Sequence, residues 1–214
     1  MFPIRGKGWP LLTPAVVIVV LMTVVGWVPL IGWMISLAIG CYLAAYLYRS
    51  IDVSMRSGIT PPDWPDLSKL VSDVVLPGLR LMFAMLVSSI PAILLSWMDG
   101  EPKTRGLTSG EVIGMAAFAM YFPMAALAVV GRPGWGVALP QDVIPAIQRC
   151  LPDYFVIAGG VFVAEFAMKF LQSAFGWVSF LGVALGTLVY FYLMLVNARL
   201  MGLMYSKHRK DLDW

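Results

Sequence analysis

The chain has 214 residues, 60% of them hydrophobic and 13% charged, with a net charge of +3. A soluble domain of this size carries about 25% charged residues, so a mean hydropathy of +0.83 excludes an ordinary soluble enzyme domain. The net charge is too small, and its basic residues too spread along the loops, for a nucleic-acid footprint; two cysteines, Cys41 and Cys150, make neither a disulfide framework nor a metal site.

The pattern predicts an all-α, polytopic membrane protein with six transmembrane helices in a single domain, because its apolar runs approach or exceed the ~20 residues that cross a bilayer. Residues 1–10 hold Arg5 and Lys7 and end in Trp9-Pro10. The first span follows at about 11–28, without a small-residue cleavage site, and a chargeless turn leads to the second at about 32–48. The third covers about 77–98 with Pro91 inside it, and the fourth about 110–130 with Pro123. The fifth and sixth cover about 153–172 and 177–200. Twelve basic residues fall on the side of the termini and of the loops after spans 2 and 4, and two, Lys103 and Arg105, on the other. That asymmetry predicts both termini in the cytoplasm, in a bacterial inner membrane.

The chain also repeats itself. A shift of 150 residues lays Gly26-Trp27-Val28 on Gly176-Trp177-Val178, Gly32 on Gly182, Tyr42-Leu43 on Tyr192-Leu193 and Arg49 on Arg199. Spans 1 and 5 run the same way in the predicted topology, so the expectation is a parallel internal repeat of a helical hairpin.

Two short amphipathic helices are expected in the cytoplasmic interface. The first follows Pro61-Pro62-Asp63-Trp64-Pro65-Asp66. The prolines set an extended lead-in, and Asp63 can cap a helix, with Asp66 three residues later near the positive end of its dipole. Leu67, Leu70, Val71 and Val74 then fall at helical spacing, opposite Asp66, Ser68, Lys69, Ser72 and Asp73. The segment is either a stiff elbow that aims span 3 or, through Asp63, Trp64, Asp66 and Lys69, a docking surface for a partner or lipid headgroups. The second covers 140–149, with Val143, Ile144 and Ile147 on its apolar face.

The hairpin, its Tyr-rich exit with Arg49, the Pro-Asp-Trp-Pro-Asp loop and the amphipathic run into a third span resemble a family of uncharacterised bacterial multi-pass membrane proteins, catalogued as a domain of unknown function. The likeness covers roughly residues 5–98 and includes the opening Phe2-Pro3-Ile4-Arg5-Gly6. It implies this topology and brings no catalytic residues.

Small residues recur every four positions at Gly32, Ser36 and Gly40, and at Gly182 and Gly186. Such ridges let helix backbones approach closely, inside the bundle or between two copies. Glu165 lies about twelve residues into span 5, roughly 18 Å deep, with Lys169 four residues on, the favourable order for a helical ion pair. An acid at that depth faces a partner or a cavity, so the two residues form either a structural pair or an ion or substrate site. The one histidine, His208, reads as a solvated tail residue. With no nucleophile–base spacing, metal cluster or phosphate loop, catalysis and cofactors are not expected. The expected function is a non-catalytic membrane scaffold, accessory or assembly subunit that binds lipid and other membrane proteins or itself; the alternative is a small transporter or channel with its site near Glu165.

Overall fold

The computed structural model describes residues 31–56, 62–98, 108–174 and 179–212. Every regular element among the described residues is a helix: α1 Ile31–Met55, α2 Leu76–Met98, α3 Ser109–Gly131, α4 Pro140–Arg149, α5 Leu151–Ala174 and α6 Ser179–Leu212. All but α4 are long and apolar enough to cross a membrane, and the protein is a membrane-embedded helical bundle. The expected span 11–28 lies outside the described residues, as do residues 26–30 and 176–178 of the repeat.

Local chemistry sets the helix ends. Thr108 and Glu111 close a reciprocal capping box on α3, Thr108 Oγ1 accepting from the Glu111 N–H at 3.2 Å and Glu111 Oε2 from the Thr108 N–H at 3.0 Å. α3 stops before Arg132-Pro133, because the residue preceding a proline is pushed out of the helical region; Arg132 is extended, at φ −124° and ψ 143°. Gly134 then turns the chain at φ 119°, a conformation L side chains rarely adopt. Pro140 opens α4 at a position whose N–H needs no partner.

Consecutive long helices lie side by side, α1 on α2, α2 on α3, α3 on α5 and α5 on α6, and α6 returns to α1. With an odd number of alternating helices the closing pair runs parallel. Tyr46 meets Phe191 at a ring-centroid distance of 6.4 Å, and farther along both helices Arg199 Nη1 donates to Ser54 Oγ at 3.3 Å. α3 also touches α1 and α6, which makes it the central helix, and its residues from Phe122 to Val129 are all buried. The parallel contact suits a parallel repeat, but matched residues do not share surroundings. Tyr42 stacks near Trp64 and donates to the Pro65 carbonyl at 3.3 Å, whereas Tyr192 is exposed.

In lipid, apolar contact supplies little driving force between helices, so close packing and hydrogen bonds carry more of the association. Tyrosine hydroxyls do much of this here. Tyr48 donates to Val129 O at 3.5 Å, Tyr121 to Ala138 O at 2.6 Å and Tyr154 to Met120 O at 2.7 Å. The last lies beside Ala119, whose carbonyl loses its usual donor to Pro123.

The ends of α1, α3 and α6, the starts of α2 and α5, and all of α4 gather at one end of the bundle, the basic end. Here the first amphipathic segment departs from expectation. Residues 67–75 are helical, but as a 3-10 turn, Leu67–Lys69, and a π-helical turn, Leu70–Val75, that run unbroken into α2. The Leu76 N–H reaches back five residues to Val71 O, and Pro77, which has no N–H, follows at once. The wider winding shifts the side-chain register. Val74 alone is buried; Leu67, Leu70 and Val71 face outward, and Asp73 faces α1 instead of the surface. In α4 the buried face is Val143 and Ala146, continued by Cys150 just after the helix, with Ile147 half-buried and Ile144 exposed.

Candidate functional site

The deep acid sits at the end opposite the basic one. Glu165 of α5 is half-buried and accepts the Tyr190 hydroxyl of α6 at 2.9 Å. Its expected partner Lys169 instead reaches across to Glu111 of α3, at 3.5 Å, and Glu111 is the residue whose other oxygen closes the capping box. The helical pairing rule considers one helix; the bundle offers each side chain a better-placed group on a neighbour. Ser88 and Ser89, at comparable depth, donate back to Ala84 and Met85 of their own helix at 2.7 and 2.8 Å.

The Pro-Asp-Trp-Pro-Asp loop folds onto α1. Trp64 stacks on Tyr46 with ring centroids 4.2 Å apart and planes 16° from parallel. Arg49 clamps both sides of the loop, donating from Nη1 to Trp64 O at 3.3 Å and from Nη2 to Asp73 Oδ2 at 2.5 Å. The cap is Asp66 and not the expected Asp63: it accepts the Ser68 N–H at 2.9 Å, because the helical turn begins at Leu67. That backbone bond, with the Ser68 hydroxyl second, holds the Asp66 carboxyl below its ordinary pKa. Of the four residues expected to dock a partner, Trp64 and Asp66 therefore hold the loop itself, while Asp63 and Lys69 remain exposed.

The small residues divide in a similar way. Gly32 is buried and Ser36 half-buried, but a Cβ at Gly40 would meet nothing within 4 Å, so the ridge on α1 does not continue to it. A Cβ at Gly186 would lie 3.4 Å from Met168 O of α5, an ordinary contact, and Gly182 lies in the first turns of α6. The close helix approaches are elsewhere. A Cβ at Gly78 would strike Cys41, one at Gly160 the amide of the buried Asn197, one at Gly202 Ser54, and one at Gly114 would lie 2.9 Å from Ala92 Cβ.

The basic end holds arrangements that only the fold brings together. Asp153 at the start of α5 takes Lys207 Nζ at 2.5 Å and faces His208 Nε2 at 2.8 Å. His208 is thus a partnered residue at a kink in α6 (φ −104°, ψ 17°), and Leu212 beyond it is fully buried. Two small polar cavities flank the last turn of α3. One, about 210 Å³, is lined by Arg132, Gln141, Asp142, Pro145, Ala146 and Arg149. The other, about 190 Å³, is lined by Asp52, Met55, Arg56, Tyr205 and Arg209 with Val130 and Gly131. Neither touches Glu165 or Tyr190. Among the described residues no group of His, Cys, Asp or Glu side chains could hold a metal ion. Separations of tens of residues hide these groupings from periodicity; the available signal was an aspartate three or four residues from a membrane-edge arginine, as in Asp52 and Arg56.

No family model, curated protein or solved structure matches the chain.

Proposed function

We propose that the chain is a non-catalytic integral membrane protein, a scaffold or assembly subunit that binds lipid and neighbouring membrane proteins. The observation that carries this reading is the use of ionisable groups on the spans as cross-helix ties: the half-buried Glu165 to Tyr190 between α5 and α6, and the more exposed Lys169 to Glu111 between α5 and α3. A translocation site needs an acid that exchanges its partner for an ion or proton along a water-accessible path. The two cavities described above lie at the basic end, away from Glu165. The proposed setting is a bacterial inner membrane with the basic end in the cytoplasm, from the charge asymmetry, and the proposed architecture is six spans with a parallel repeat.

Two substitutions in the same tie test this. Tyr190→Phe leaves a half-buried carboxyl without its donor and should destabilise the bundle by about 1–3 kcal/mol, measured as a lowered melting temperature in detergent. Glu165→Gln keeps an acceptor for Tyr190, so its melt should fall less, and proton or cation flux into proteoliposomes should match wild type. Wild-type flux that Glu165→Gln abolishes with an unchanged melt would replace the scaffold by the transporter.

A further inference from the structure

The two cavities at the basic end share a composition. In each, an aspartate pairs with one arginine, Asp52 with Arg56 at 3.0 Å and Asp142 with Arg132 at 3.6 Å. A second arginine completes each lining, Arg209 in one and Arg149 in the other. Among the described residues that line each cavity, two guanidiniums accompany one carboxylate, a lining with a formal charge of one positive unit. The cavities sit where α1 and α3 end, the level at which a spanning helix meets the headgroup layer. At about 210 and 190 Å³ they are smaller than the ~300–1,000 Å³ of pockets for drug-sized ligands, and suit a headgroup fragment better than a whole metabolite.

We infer that these cavities bind the phosphodiester of anionic phospholipids. A phosphodiester bears one negative charge, which matches the formal charge of the described lining. The planar fork of an arginine matches two phosphate oxygens, while the paired aspartate orients its own arginine and keeps the site from over-charging. A zwitterionic lipid brings the same phosphate with a cationic amine that the arginines repel, so the site discriminates by headgroup charge. The inference rests on the membrane placement of the chain and is independent of the scaffold reading: a transporter could carry the same lipid sites.

The test is a detergent melt of the full chain titrated with phosphatidylglycerol, phosphatidylcholine or inorganic phosphate, with bound lipids counted by native mass spectrometry. Phosphatidylglycerol should raise the melting temperature and remain as discrete adducts; phosphatidylcholine and inorganic phosphate should not. Arg149→Gln and Arg209→Gln remove the second arginine of each cavity at exposed positions, and each should weaken the phosphatidylglycerol response about tenfold. Arg149→Lys keeps the charge without the fork and guards against misfolding, with a smaller loss expected. Lys210→Gln, which removes an exposed charge at the same end outside both linings, should leave the response intact. Equal stabilisation by phosphatidylcholine, an equal effect of inorganic phosphate, or an equal loss in Lys210→Gln would each overturn the assignment, as lipid without charge selection, a free-phosphate site or diffuse attraction.

Discussion

Gly202 sits on the parallel seam where α6 meets α1, and replacing it by alanine should part the two helices. An added Cβ would strike Ser54 and lie 2.7 Å from the Ser54 carbonyl carbon and 2.8 Å from the Met55 nitrogen. These are backbone atoms of a helix, so no rotamer change can relieve the contact. Ser54 Cβ lies nearer still and is fixed to the backbone, so moving from 2.7 Å or less to the 3.4 Å at which ordinary contact begins requires a local separation of more than about 0.7 Å. Overpacking costs ~1–3 kcal/mol, with a backbone collision at the upper end, and alanine's helix propensity returns at most ~1 kcal/mol. The net is a loss of about 2 kcal/mol before the Arg199–Ser54 bond in the same seam is counted. For a chain of this length that corresponds to a fall in melting temperature of roughly 4–8 °C. The chain supplies its own reporter: Cys41 and Cys150 are buried thiols, so a thiol-reactive fluorogenic dye reads unfolding directly. Gly40→Ala is the paired control. Spacing alone places Gly40 in a packing ridge, yet the structure opens space around it, so its melt should stay level or rise. A Gly202→Ala melt within a degree of wild type, or a Gly40→Ala melt that falls as far, would refute the assignment of the seam.

Trp64→Ala should remove the stack on Tyr46 and loosen the loop that Arg49 clamps, at about 2 kcal/mol; an unchanged melt together with unchanged protease resistance around residues 62–66 would show that the loop is held some other way. Asp66→Ala tests the cap through pH. Because the folded Asp66 pKa is depressed, its contribution is present above the unfolded value of about 3.9 and is lost as pH falls through the lower folded value. The melting gap between wild type and Asp66→Ala should therefore be open at pH 7 and narrow below about pH 4, and a gap that widens on acidification would contradict the cap.

The membrane helices were legible because lipid imposes a simple rule: an apolar run of sufficient length between polar breaks must be helical. The third span, expected at 77–98, is the helix Leu76–Met98, and the fourth, expected at 110–130, is Ser109–Gly131. α1 and α6 extend past their expected ends, to Met55 and Leu212, because Asp52, Arg56 and the tail continue helices beyond the apolar stretch with charges satisfied by neighbouring groups. Partners across helices were not legible. Lys169 stands one turn from Glu165, and nothing in one helix's spacing shows that Glu111, 58 residues earlier, is the group it reaches. Glycine spacing failed for a related reason: intervals of four locate a face without saying what lies opposite. Gly202 and Gly160 matter because Ser54 and Asn197 lie against them.

The placement of the ties bears on which mechanism this bundle can support. Alternating access needs two bodies that rock about a site between them. In this chain α1 and α6 share a seam close enough to exclude a Cβ at Gly202, and both touch α3. α3 is fixed near its basic end by Tyr48 from α1 and Tyr154 from α5, and its own Tyr121 fixes the turn before α4. Each such bond contributes about 1 kcal/mol, so a rocking motion at this end would break several together and open the seam as well. Glu165 lies between α5 and α6, off that seam, tied to the helix beside it. The close α1–α6 seam and the ties on α3 favour the proposed scaffold over alternating access, and they leave the arginine-lined cavities and the Lys207–Asp153–His208 cluster at the basic end.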